Sequence, residues 1–143
     1  MILSHKHKYI FIKSFKTAST SLEIALSKFC GKEDIITPLK NEDEIIRKNK
    51  GYNGPQNYND KLVFHEHMPA SEIKSKINLD VWNKYFKFNV VRRSNLVGEY
   101  VGHTAIKTQK VIDEAFGGVL LIDEAYSLGN EEKKDSFSKE CID

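Results

Sequence analysis

Three short apolar runs, each suited to a β-strand and each followed or preceded by helix-forming sequence, constrain this chain most. "KYIFIKS" (8–14) and "FKFNVVR" (86–92) are rich in β-branched and aromatic residues, and "VLLID" (119–123) is a continuous run of the kind buried inside a parallel sheet. After the first run, "STSLEIALSKFC" (19–30) sets Leu22, Ala25, Leu26 and Phe29 on one helical face, with Gly31 as its stop. Pro38 suits the start of a helix in residues 37–49, and "GYNGPQNYND" (51–60) is a loop. Pro69 and Ser71 open a further helix, and Asp80 caps one through "LDVWNKYF". A helix over 104–116 and a Gly-Gly break lead into the last run. Strands alternating with helices predict a parallel α/β sheet flanked by helices, with ligands at the carboxyl ends of the strands.

At 143 residues the chain fits one domain, and a chain of this size hides roughly two thirds of its unfolded surface. No apolar run approaches the ~18 to 20 residues of a membrane span, and "MILSHKHKYIFIKS" lacks the pattern of a secretion signal, so a cytoplasmic protein without membrane contact is expected. Cys30 and Cys141 stand far apart without CxxC spacing, which argues for free thiols over a disulfide framework or a zinc site. The net charge of +2 conceals a split: residues 1–93 carry 17 Lys and Arg against 10 Asp and Glu, and residues 94–143 carry 5 against 10. An anionic ligand for the first part is one reading, and a lysine-rich solvated face is the other. The basic residues form no stripe and no nucleic-acid motif, so nucleic acid is not expected as a partner.

The first chemical constellation is "IFIKSFKTASTS" (10–21), a strand that runs through Lys16, Thr17, Ala18, Ser19, Thr20 and Ser21 into a helix. Such a turn gathers backbone amides, hydroxyls, an ammonium and the positive helix end around one point, which suits a phosphate or phosphosulfate. It lacks the glycines of a Walker A loop. It resembles the 5′-phosphosulfate loop of sulfotransferases. With "GPQNY", "FHEHMPASEIKSKI" and "YFKFNVVR" following in order, residues 8–92 resemble a sulfotransferase family. The resemblance implies 3′-phosphoadenosine 5′-phosphosulfate as cofactor, held by Lys16 to Ser21 and by Arg92 at the 3′-phosphate. It also implies a hydroxylated acceptor, Lys16 stabilising charge on the bridging oxygen, and His67, or else His65, as the base. "HEH" has no third ligand close by for a metal, and "HKH" at 5–7 reads as a loose terminus.

At the junction the pattern changes. Arg93, Ser94, Asn95 and Leu96 stand where such a family has Asn-Pro, and no later serine can be assigned to the 3′-phosphate clamp. From "NLVGEYVGHTAIKT" through "VIDEAFGGVLLIDEAYSL", residues 95–128 resemble an AAA+ ATPase of the CbxX/CfqX, Rubisco-activase-like type. That resemblance implies ATP with magnesium. Asp123 would order the water shell of the ion, and Glu124 would polarise the attacking water in a Walker-B-like strand end. Tyr100, Val101 and Gly102 match a pore loop that grips polypeptide, in a protein that assembles as an AAA+ oligomer. The Walker A loop, sensor, arginine finger and helical lid of that family are not found.

In both families a strand of a P-loop sheet ends in an arginine-containing turn at this point, so "FNVVRR" can stand in for the strand that precedes "LVGEYVGHTA". The expectation is therefore a truncated P-loop NTPase-like parallel sheet, with residues 1–93 as a sulfotransferase-like segment and 94–143 as an AAA+-like one, joined in one α/β domain. Function divides three ways: sulfuryl transfer to a hydroxyl, an AAA+ fragment that binds ATP or a larger assembly, and a chimera with neither activity.

Overall fold

The computed structural model describes residues 1–14, 19–60, 62–100 and 102–128. Its centre is a five-stranded sheet in the order β3-β1-β2-β4-β5, with β1 at Ile2–Ser4, β2 at Tyr9–Lys13, β3 at Ile35–Ile36, β4 at Phe86–Arg92 and β5 at Val119–Asp123. The strands β2, β4 and β5 run parallel, whereas β1 is antiparallel to both of its neighbours. This is a truncated α/β fold of the P-loop NTPase kind, in which the sheet is mixed and not wholly parallel. The antiparallel strand is the one the sequence pattern hides, because "ILS" is too short to show a period of its own.

The hairpin from β1 to β2 makes residues 5–8 a tight turn, with Lys8 at φ +56°, and not a loose terminus. Asp34 holds it. Its carboxylate accepts from Ser4 Oγ (2.7 Å) and from the backbone N–H groups of His5, Lys6 and Gly31 (2.7, 3.0 and 2.8 Å). Burial by itself would raise the Asp34 pKa, and these donors, by stabilising the carboxylate, bring it below the ordinary value.

Helix α1, Thr20–Ser27, turns Glu23, Ile24 and Ser27 inward, whereas the expected face Leu22, Ala25, Leu26 and Phe29 is half-buried or exposed. A buried glutamate displaces the apolar register because it has buried cations to meet, as described below. Helix α2 spans Asn41–Asn49, three residues after Pro38. Helices α3, Ala70–Lys76, and α4, Leu79–Lys84, follow, and the cap of α4 is Asn78, whose side chain accepts from Asp80 N, and not Asp80 itself. The short α5, Arg93–Leu96, leads to α6, His103–Ala115.

Period-two alternation splits the core between the two sheet faces. Ile10 and Ile12 join Met1, Leu3, Phe64, Met68, Ile73 and Trp82 on the face that carries α3 and α4. Phe11 and Val90 join Ile2, Cys30 and Ile36 on the other. Val91, Leu96, Val111 and Leu128 form a third cluster, backed by Leu120 and Ile122 of β5. Among the described residues β5 is the edge strand and not a buried one, since Val119 and Leu121 are 40% and 46% exposed. Its entry needs both glycines. Gly117 adopts φ +74° after α6, and a Cβ on Gly118 would lie 1.9 Å from Lys87 O.

Candidate functional site

The parallel ladder sets the ends of three strands side by side. Lys13 of β2 pairs in register with Val90 of β4, and Arg92 of β4 with Asp123 of β5, so Lys13, Ser14, Arg92 and Asp123 share the carboxyl edge of the sheet. Such an edge is where open α/β sheets hold ligands.

Lys13 is wholly buried and its ammonium lies 2.7 Å from Glu23 Oε2, with Glu66 as a second carboxylate partner. The other oxygen of Glu23 accepts from the Met1 α-amino group at 2.8 Å and lies 4.0 Å from Arg47, which also pairs with Glu44 at 3.1 Å. Burial raises and Lys13 lowers the Glu66 pKa, and the lysine prevails. Lys13 was not singled out from the sequence. Its signal was Glu23, a carboxylate lying among the apolar positions of α1 and so in need of a buried cation.

His67 lies 3.7 Å (Nε2) from Glu66 Oε2, and burial holds its pKa below the ordinary histidine value despite that carboxylate. The imidazole is thereby biased to its neutral, proton-accepting form. His65 is exposed, 3.6 Å from Glu72. A cavity of about 400 Å³ between the sheet and helices α3 and α6 is lined by His67, Arg92, Lys13 and Ser14 together with Asn89, Lys107, Lys110 and Glu114. The structure thus brings His67 and Arg92 into one cavity and leaves His65 outside it.

Of the expected phosphate loop, Lys16, Thr17 and Ala18 lie outside the described residues. Ser19 is buried at the N-cap of α1, Thr20 Oγ1 lies 3.5 Å from Lys13 Nζ, and Ser21 is exposed. Ser14 Oγ lies 3.0 Å from Val90 O and 2.9 Å from Asn95 Oδ1, and that same amide oxygen accepts from Arg92 N at 3.0 Å, which fixes the turn after β4.

Asp123 is half-buried, and Glu124 is exposed at φ +55°, a left-handed backbone uncommon for a non-glycine residue. Tyr100 is 66% exposed, its ring 5.5 Å from that of His103, while Val101 lies outside the described residues. Gly102 takes φ +79° as the N-cap of α6, and Gly98 N donates to the buried Thr104 Oγ1 at 2.9 Å, closing the loop that presents the tyrosine. Among the described residues no cluster of three or more His, Cys, Asp or Glu is placed to hold a metal by itself, and no helix is long and apolar enough to cross a membrane.

Comparison with known proteins bears on one part of the chain. Stage V sporulation protein K of Bacillus subtilis is 49% identical over 67 residues, covering 41% of this chain and 20% of that protein. The chloroplastic cbbX homolog of Guillardia theta is 56% identical over 54 residues, covering 38% and 15%. The chloroplastic ribulose bisphosphate carboxylase/oxygenase activase of Cyanidioschyzon merolae is 56% identical over 54 residues, covering 38% and 18%. About two fifths of the chain is homologous to AAA+ proteins of the CbxX/CfxQ type. The chain spans no more than a fifth of the length of these relatives. No protein-family model and no solved structure matches it.

Proposed function

We propose that the chain is a fragment-like AAA+ module of the CbxX/CfxQ type that binds ATP with magnesium at the carboxyl edge of its sheet and docks on a larger AAA+ assembly through the Tyr100 loop. The observation that carries this reading is the β2-β4-β5 ladder, which sets Asp123 in register with Arg92 on the edge where the turn out of β2 begins. Asp123 fits a magnesium site. It is a half-buried carboxylate at a strand end with no ion-pair partner among the described residues, and magnesium is commonly held by one or two carboxylates together with substrate phosphates. Bound there, the ion would neutralise phosphate charge. Arg92 would face the phosphates, Glu124 would hold a water, and the exposed Tyr100, with Val101 and Gly102, would meet polypeptide. A thermal-shift titration tests this. Mg-ATP at ~100 times its dissociation constant adds about 2.7 kcal/mol, a shift of several degrees, and Asp123→Ala should remove the magnesium dependence. Cross-linking to a full-length AAA+ protein should be lost in Tyr100→Ala. A strictly monomeric protein with no response to Mg-ATP sinks the reading.

A second reading has its own observation, the meeting of His67 and Arg92 in one cavity. It makes residues 1–93 a site for 3′-phosphoadenosine 5′-phosphosulfate, with Lys16, Thr17, Ala18, Ser19, Thr20 and Ser21 around the 5′-phosphosulfate and Arg92 at the 3′-phosphate. The neutral His67 would take the proton of an acceptor hydroxyl as its oxygen attacks sulfur and the S–O bond to the nucleotide phosphate breaks. Stabilisation by adenosine 3′,5′-bisphosphate, and not by Mg-ATP, supports this reading if Lys16→Ala abolishes it. No shift with either ligand leaves the chain a chimera without nucleotide binding.

A further inference from the structure

Asn89 lies in β4 on the face shared with Ile12 of β2 and is only 4% exposed. It opens into the cavity under α3 and α6, beside Arg92 and Lys107.

The charges around that cavity do not balance. Lys13 is matched by Glu23 and Glu66, and Lys110 is offset by Glu114 one turn along α6. Arg92 and Lys107 have no carboxylate within ion-pair reach among the described residues, and Arg92 Nε is buried without a hydrogen-bond partner. Lys107 Nζ donates to Ser94 O (2.7 Å) and Val97 O (2.9 Å), which anchors the ammonium and leaves the third of its N–H bonds to spare.

The geometry points to a phosphate-type oxyanion site built jointly by the two halves of the chain: Arg92 and Asn89 from β4, and Lys107 from α6. This rests on the second reading for the role of Arg92, and goes past it in naming the groups that complete the clamp where no serine can be assigned. Helix α6 supplies a second cation beside Arg92. The anion is either free phosphate or the phosphate of a nucleotide, which the same donors would grip.

Titration calorimetry of the full chain with inorganic phosphate and, separately, with adenosine 3′,5′-bisphosphate tests the site. Lys107→Gln keeps a donor for the two carbonyls but loses the charge, and it should weaken both ligands about tenfold, as should Asn89→Ala. The remote Lys48→Gln should bind as the unaltered protein does. Bisphosphate binding that needs Lys16 but not Lys107 overturns the joint site and leaves the nucleotide reading standing. Phosphate binding that needs Lys107, with nothing gained from the adenosine, upholds the site and removes the nucleotide reading. No binding of either ligand by the unaltered protein overturns both.

Discussion

Lys13 is held by two carboxylates at the end of a strand whose other residues are apolar, and removing one member of a buried ion pair costs far more than the pair contributes. Lys13→Met should lower stability by about 3–5 kcal/mol, read from the urea midpoint, because Glu23 then keeps its buried charge with weaker compensation. A loss below about 1 kcal/mol would show that water reaches the cluster. His67 and Glu66 set the response to acid. The His67 pKa lies below its ordinary 6.5, so below pH 6.5 the unfolded chain takes up a proton that the native state does not, and stability falls. The Glu66 pKa is also lowered, so its contribution is present above its ordinary 4.5 and is lost as pH falls through the folded value. The urea midpoint should therefore fall in two stages on acidification, and His67→Gln should remove only the upper one. A single stage below pH 4.5 would mean that His67 takes up its proton in the native protein as readily as in the unfolded chain. Neither window was legible from "HEH", because that of His67 is set chiefly by burial and that of Glu66 by Lys13, which lies 53 residues before it.

At the scale of elements, the runs "FKFNVVR" and "VLLID" became β4 and β5 with the expected bounds, because apolar runs bracketed by turn residues identify strands without tertiary help. Helix faces were less legible. Apolar spacing favoured Leu22 and Leu26 in α1, and both pack half-buried against the core, but the fully buried positions are Glu23, Ile24 and Ser27, because Glu23 pairs with a lysine on a neighbouring strand. The break before β5 carries a test. Gly118→Ala places a methyl against Lys87 O and should push β5 away from β4. Amide exchange in residues 119–123 should then lose its protection while residues 9–13 keep theirs. Equal protection in both strands would show that the ladder absorbs the extra carbon by shifting.

At the scale of the whole molecule, the boundary at residues 93 and 94 falls inside α5, one residue past the end of β4, and the β4-β5 ladder joins the two sides of it in one sheet. We expect one cooperative unit: the fluorescence of Trp82 and the amide exchange of β5 should report the same urea midpoint. Two midpoints would mean that the halves fold apart. By itself the sequence determined the strand runs, the order of strands and helices, and the AAA+-like character of residues 95–128, because these rest on local pattern and on side chains close together in the chain. Only the tertiary structure decided the antiparallel β1, the buried Lys13 cluster and the cavity that joins Asn89 and Arg92 to Lys107. Each of these depends on contacts between distant residues, and the electrostatics of burial, which no local pattern encodes, selects among them.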